Sequence, residues 1–368
     1  MRFQLGNISG PASHVEAPFF HLLPKPKAMD ASGKMVTLGQ ITDMRTGEQW
    51  SNQEVFMPNG AEWRFDKNAP EPKVWMNFVD ELFADRTDDV QLLQEWMGYM
   101  LSGDTWAQKG LLVVGPKRAG KGVIGGVLRK LLGKSMVASP SLKALGDTFG
   151  LEHMVDKRMC LISDARLSTR QDTAAVIEML LRIIGCDQVD VSRKNKTALT
   201  LELGVRVMML ANSMPQLGDD SDAITSRFLI INLTESFYGR EDTKLAAKLE
   251  RELPGIALWS IEGYKRLIAR GKFQEPQSSV DARSEWYNEN NPVAEFIEDR
   301  CVVARDQSVE NSVLGNAYNE WNEARHAPPM NTQVLSRKVA AMLGPKITRV
   351  AGHGARRIVG LGLKKMAF

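Results

Sequence analysis

Four short runs of apolar residues stand out in the middle of the chain: GLLVVG at 110–115, KRMCLIS at 157–163, VRVMMLA at 205–211 and SRFLIIN at 226–232. Each is bounded by polar residues, as strands buried on both faces of a parallel sheet are. Helical segments between several of them predict an α/β sheet covered on both sides. Ahead of this region Trp75, Phe78, Val79, Leu82 and Phe83 recur at helical intervals, and Leu92, Leu93, Trp96, Met97 and Met100 do so again. They give two amphipathic helices joined at ADRTDD, with the aromatic stripe belonging to a core. Residues 1–72 break into short apolar pieces between turn-rich stretches such as PKPKAMDASGK and MPNGAEW, which predicts small strands and loops.

Beyond the last apolar run, helices are expected near 240–252 and 254–270, and GKFQEPQSS reads as a linker. NPVAEFIEDRCVV, NSVLGNAYNEWNEARH and NTQVLSRKVAAML read as three more helices, and KITRVAGHGARRIVGLGL as a strand pair turned by glycine. Helices followed by a basic hairpin suggest a winged-helix module. The partition is therefore a leader at 1–72, a helical pair at 73–105, an α/β domain at 106–275 and a basic domain at 290–368.

Composition adds limits. The chain has 368 residues, enough for two or three domains with a sizeable core. No apolar stretch is long enough to cross a bilayer, and MRFQLGNISGPASHVEAP lacks the order of a signal peptide, so no membrane partner is expected. Cys160, Cys186 and Cys301 lie far apart with no CxxC pair, which points to reduced core residues rather than a zinc site or disulfide framework. The net charge of +3 hides an asymmetry. From Ala324 onward there is no Asp or Glu, while Arg325, Arg337, Lys338, Lys346, Arg349, Arg356, Arg357, Lys364 and Lys365 are all basic. That end is a candidate nucleic-acid surface, with Arg337, Lys338, Arg356 and Arg357 as its contacts.

The chemistry centres on LLVVGPKRAGKG. An apolar strand meets Gly115, and Pro116, Lys117, Arg118 and Ala119 separate it from Gly120 and Lys121, the spacing of a phosphate-binding loop. KGVIGGVLRKLLG then continues as a helix. Backbone N–H groups from Gly115 to Gly122 would surround the β-phosphate of ATP, with the Lys121 ammonium between the β- and γ-phosphates. Such a loop needs an acid at a neighbouring strand end to serve magnesium and the attacking water, and LISDARL supplies Asp164. Asn212 ends the third apolar run, where an amide can orient that water. Arg227, just before the fourth, is placed to stabilise transition-state charge in a neighbouring subunit. Between acid and amide, alternation on both sides of RKNK predicts a hairpin with Arg193, Lys194 and Lys196 near its tip, suited to a nucleic-acid backbone.

Taken in this order, the features resemble the helicase part of the phage and plasmid primase-helicase proteins of helicase superfamily 3. They are similar more distantly to the poxvirus primase-helicase and the papillomavirus replicative helicase. GQITDMRTGEQW, LQEWMGYMLSGDTWAQKG, LLRIIGCDQVDVSRKNK, MMLANSMPQLGDDSDAITSRFLIINL and ELPGIALWSIEGYKRL carry the resemblance with the motifs above. It implies an AAA+-like P-loop ATPase core with an N-terminal α/β leader, a helical oligomerisation collar and a C-terminal winged-helix domain. It implies an ATP- and Mg²⁺-dependent 3′ to 5′ DNA helicase of a phage, prophage or plasmid-like element in the bacterial host cytoplasm. The partners implied are single-stranded DNA, forked duplex DNA, further copies of the chain in a homo-oligomer, usually a hexamer, and a separate primase or replication initiator. Lys121 is then the phosphate lysine, Asp164 the metal and water acid, Asn212 the sensor, Arg227 the residue acting in trans and Lys194 the channel residue.

Two departures bear on this. Gly122 stands where such loops usually carry a Ser or Thr ligand to magnesium, which leaves a working but thinly liganded site. The N-terminal hundred residues show no acidic metal cluster, so no primer synthesis is expected. Two other readings stand beside the helicase: a DNA-binding AAA+-like ATPase that does not unwind, serving as initiator, loader or defence switch, and a small-molecule kinase.

Overall fold

A computed structural model describes residues 27–28, 34–37, 40–51, 55–56, 61–165, 170–215, 223–325, 327–351 and 356–364. Its leader holds five short strands, β1 (Lys27–Ala28), β2 (Lys34–Thr37), β3 (Gln40–Asp43), β4 (Gln49–Ser51) and β5 (Val55–Phe56). β2, β3 and β4 form an antiparallel meander, and β1 pairs with β5. Residues 1–26, 29–33, 38–39, 52–54 and 57–60 of the leader lie outside the described residues.

Helices α1 (Lys73–Phe83) and α2 (Thr87–Ser102) fall where the periodicity puts them. α1 buries Trp75, Phe78, Val79, Leu82 and Phe83, and α2 stops at Gly103, whose left-handed φ of 77° is free of strain only in glycine.

The core then runs through β6 (Gly110–Val114), α3 (Lys121–Leu132), β7 (Val137–Ala138), β8 (Met159–Ile162), α4 (Arg170–Gly185), β9 (Gln188–Arg193), β10 (Lys196–Glu202), β11 (Arg206–Ala211), α5 (Ala223–Ser226) and β12 (Phe228–Asn232). Five of these strands make one parallel sheet in the order β12-β6-β11-β8-β7. Every residue of β6, β8 and β11 is buried, which is why they read as unbroken apolar runs. Alternate side chains feed two cores. Leu111, Val113, Met208 and Leu210 pack with residues of α1, α2 and α3, whereas Leu112, Val207 and Met209 pack with residues of α4. β9 and β10 pair as a separate antiparallel hairpin.

α6 (Leu245–Arg251) and α7 (Leu253–Arg270) are the two helices expected next. α6 starts at Leu245 rather than near 240, because the Asp242 carboxylate accepts from the Lys244 N–H (2.8 Å) and holds a turn there. α7 packs tightly on α2. A Cβ at Gly98 would lie 2.2 Å from the Ser260 carbonyl oxygen, and one at Gly263 would lie 2.4 Å from that of Gln94, so glycine lets the two backbones meet.

Part of the expected linker is helical. Among its described side chains α8 (Gln277–Asn290) buries Ser279, Ala282 and Trp286, too sparse a stripe for periodicity to find. Trp286 anchors it, edge-on to Phe228 and donating its indole N–H to the Pro215 carbonyl (2.8 Å). The last region comprises α9 (Pro292–Arg300), β13 (Cys301–Glu310), α10 (Asn311–Glu323), α11 (Thr332–Leu343), β14 (Thr348–Ala351) and β15 (Arg356–Leu363), around a core that includes Phe296, Tyr318, Leu335 and Ile358. The expected helix over NPVAEFIEDRCVV ends at Arg300. Cys301, Val302 and Val303 instead pair with β15, as β-branched residues favour, in a three-stranded antiparallel sheet ordered β13-β15-β14. The glycine turn between β14 and β15 falls at 352–355, outside the described residues. Among the described residues no helix is long and apolar enough to cross a membrane. All three cysteines are free, and burial pushes the Cys160 thiol up to about 12.

Candidate functional site

β6 delivers the chain to Gly115 and α3 takes it up at Lys121, so the turn between them sits at the carboxyl ends of the parallel strands. Ligands bind at that edge in open α/β sheets. Gly115 is required by close approach, since a Cβ there would stand 2.6 Å from the Leu233 carbonyl oxygen. Arg118 (φ 62°) and Gly120 (φ 82°) take the left-handed conformation that curls the turn. The first N–H groups of α3 have no acceptor within the helix and carry its positive end.

The Lys121 ammonium donates to the carbonyls of Gly115 (2.6 Å) and Pro116 (2.7 Å) and forms no ion pair among the described residues. Burial holds its pKa below the ordinary lysine value. A partly desolvated cation held only by carbonyl dipoles is electrostatically matched to an anion. Beside it, nothing lies within 4 Å of where a Gly122 Cβ would stand.

A cavity of 940 Å³ opens over this turn, within the size range of small-ligand pockets. Lys117 to Val123 form its floor, α1 one wall, and the segment from Phe237 to Lys248 the other. That segment is fastened to the floor. Ser236 Oγ donates to the Lys117 carbonyl (2.9 Å), the Phe237 N–H to the Arg118 carbonyl (3.0 Å), and Arg118 pairs with Glu241 (3.5 Å). Sequence reasoning assigned α1 to the core and to an oligomerisation collar, and gave 237–248 no role at the turn. The 74, 77, 78, 81 spacing on α1 was the legible signal for a second face.

Asn212 and Asp164 follow β11 and β8 at the same edge. Gly115 N–H donates to the Ala211 carbonyl and Ala165 N–H to the Leu210 carbonyl, both at 3.2 Å, so the ends of β6, β11 and β8 lie abreast with Asn212 in the middle. Both side chains are exposed. Asn212 lines the cavity, whereas Asp164 is not among its lining residues. Two strand spacings, about 10 Å, separate β8 from β6. Among the described residues no group of three or more His, Cys, Asp and Glu gathers into a metal cage.

Arg227 lies at the opposite edge. Its carbonyl accepts from Gly110 N–H (2.8 Å), its guanidinium donates to Gln108 Oε1 (2.9 Å), and the five residues of β6 separate it from the turn. That is roughly 16 Å of strand, so the chain does not bring Arg227 to its own Lys121.

In the β9–β10 hairpin Arg193 and Lys196 are paired across the Lys194–Asn195 turn, with Asn195 left-handed at φ 58°. Lys194 and Lys196 are exposed, and the Lys194 N–H donates to Glu152 Oε2 (3.3 Å). Arg193 folds back on its own turn, donating from Nε and Nη2 to the Thr197 carbonyl (2.9 and 2.7 Å). In the last region Arg337, Arg356 and Arg357 meet around a cleft of 510 Å³ between α11 and the β14–β15 pair, joined by Arg349 and Gln333. Arg357 is paired with Glu310 (2.8 Å). Lys338 does not line this cleft. Arg349 lines the cleft although sequence reasoning, which counted it in the acid-free segment, did not place it among the candidate contacts.

A family model described as "Family of unknown function (DUF5906)" matches residues 113–227, the stretch from the end of β6 to Arg227. No curated protein matches the chain. Among solved structures, the A form apo structure of the NrS-1 C-terminal region is similar at a TM-score of 0.53 and 12% identity, over 88% of this chain and 83% of that one. A second apo structure of the same region gives 0.52 and 14%, with the same coverage. At these identities the likeness is one of fold, and it extends over most of the chain.

Proposed function

We propose that the chain is an ATP-dependent DNA translocase and helicase of a phage, prophage or plasmid-like element, acting as a ring of identical subunits on single-stranded DNA, in the 3′ to 5′ direction that the superfamily 3 resemblance implies. The observation that carries the reading is Lys121, a partly desolvated cation on two carbonyls at the floor of a nucleotide-sized cavity. In this reading the N–H groups from Gly115 to Gly122 bind the β-phosphate and Lys121 bridges the β- and γ-phosphates. Asn212 orients the attacking water and Asp164 polarises it. With a glycine at 122, Asp164 is the side chain that would steady a Mg²⁺ ion, which would supply charge neutralisation on the phosphate oxygens.

Arg227 points the mechanism to more than one subunit, since its distance from its own turn leaves it to serve a neighbour's γ-phosphate. Lys194 and Lys196 at the hairpin tip are suited to follow a DNA backbone. The order α9-β13-α10-α11-β14-β15 supports a winged-helix reading of the last region, with its arginine cleft on phosphates.

The test is ATP hydrolysis with and without single-stranded DNA for the natural chain and for Lys121→Ala, Arg227→Ala and Lys194→Ala. Expected are stimulation by DNA, loss of about 10³-fold in rate for Arg227→Ala, loss of hydrolysis with weakened nucleotide binding for Lys121→Ala, and loss of the stimulation alone for Lys194→Ala. Hydrolysis indifferent to DNA and to Arg227 would remove the translocating ring.

A further inference from the structure

The phosphate-binding turn accounts for one end of the 940 Å³ cavity and leaves the rest of it unassigned. Along that remainder α1 presents Val74, Asn77, Phe78 and Glu81, four residues at the spacing of a single helix face. The face begins at the turn itself, because Phe78 Cζ lies 3.1 Å from where a Gly120 Cβ would stand. Phe237 and Leu245 look back from the other wall. The space is thus flanked by apolar surface, with aromatic rings on both sides.

The polar groups divide into two sets. On the wall formed by 237–248 the charges are committed: Glu241 to Arg118 (3.5 Å), Asp242 to Lys248 (2.7 Å), and Arg240 over the ring of Phe237 at 5.8 Å. On α1, Asn77 and Glu81 are exposed to the cavity one turn apart, and neither has a hydrogen bond or ion pair among the described residues. An apolar slot with two uncommitted polar groups at one rim, opening beside a phosphate-binding turn, has the composition of a site for a flat heteroaromatic ring.

We propose that this wall is a nucleobase site in which Asn77 and Glu81 select a 6-aminopurine; the proposal rests on the phosphate-binding reading of the turn. The chemistry is one of donors and acceptors. A carboxylate only accepts, so Glu81 pairs with an exocyclic amine and is set against a carbonyl oxygen at the same place. An amide both donates and accepts, which matches the amine and adjacent ring nitrogen of adenine. In the pose that suits adenine, a 6-oxopurine such as hypoxanthine or guanine turns its O6 acceptor toward Glu81 and an N1–H donor toward the amide N–H of Asn77, so it reaches the carboxylate with its N1–H only by shifting in the site.

The experiment is calorimetric binding of ATP, ITP and GTP with Mg²⁺ to the full chain and to Asn77→Ala, Glu81→Gln, the double variant and Lys121→Ala. Both α1 positions are exposed, so folding is not at stake, and thermal melts check it. Expected is ATP binding about 10-fold tighter than ITP and GTP in the natural chain, with the ratio falling to about 2-fold in the double variant while ITP affinity holds. Lys121→Ala should weaken all three triphosphates together and keep their ratio. Equal affinity for ATP and ITP in the natural chain, a GTP preference, or an ATP preference that survives the double variant would each overturn the base assignment. Lys121→Ala without effect on any triphosphate would overturn the phosphate assignment instead, so the two failures read out separately.

Discussion

Cations sit on main-chain carbonyls at both ends of the parallel sheet, and the two ends use them differently. At the carboxyl edge Lys121 binds two carbonyls with a cavity above it and open space at Gly122. Toward the other edge the buried Arg206 donates to the carbonyls of Met100 and Gly204, and Arg158 to those of Lys34 and Leu101. Met100 and Leu101 belong to the last turn of α2, whose carbonyls lack intrahelical partners and carry the helix's negative end. Burial pulls Arg206 down to about 10, so it stays charged at neutral pH. Asp104 completes this end, accepting from Tyr264 (2.6 Å), Trp106 and Arg45 (both 3.3 Å). A desolvated cation therefore marks a ligand site only where space is left beside it. Where a helix end takes up the charge, it is a fastening.

The sharpest way to break this contrast is to remove each cation in turn. Arg206→Met leaves the buried Met100 carbonyl unpaired and should cost about 2 kcal/mol, read as a fall of several degrees in Tm, with ATP affinity unchanged. Lys121→Met should leave Tm within a degree or raise it, and sharply reduce ATP-induced stabilisation. The reverse pattern would mean the two ends had been misassigned. A smaller effect tests the open space. Gly122→Ser adds a hydroxyl where nothing lies within 4 Å, and the Mg²⁺ concentration needed for half-maximal hydrolysis should fall about 3-fold, the worth of one modest ligand contact.

The smallest effect is in pH. Lys121 titrates below the ordinary lysine value in the free protein, and a bound triphosphate favours its charged form. ATP affinity should be flat below that lowered pKa and weaken as pH rises through it. In Lys121→Met the alkaline weakening should disappear.

The carboxyl edge was largely legible from the sequence, and the opposite edge was not. Gly115, Gly120 and Lys121 announce themselves because a tight turn, a left-handed residue and a cation are fixed by local backbone demands. Asp164 and Asn212 follow because buried parallel strands end where their apolar runs end. Arg206 looks from sequence like the polar start of a strand, and only packing against α2 shows why it is buried. α8 and β13 escaped for related reasons: a helix held by Ala282 and Trp286 has too few apolar positions, and Val302 and Val303 fit helix periodicity until β15 lies beside them. The α1 wall was hidden in plain view, since its core-facing aromatics dominate the pattern and Asn77 and Glu81 pass for solvent-facing polar residues.

The glycine contact between α2 and α7 has a consequence for how the molecule comes to exist. α2 precedes the sheet and α7 follows it, and Gln94 of one donates to the Trp259 carbonyl of the other (2.7 Å) across 165 residues of chain. The ends of the α/β core are joined like a clasp that can close only after everything between them has been made. Folding of this unit should therefore be slow and late, since long loops must close before non-local contacts form. A ribosome-bound chain ending before Leu253 should hold its strands as a protease-sensitive intermediate, and protection should arrive in one step once Gly263 has emerged.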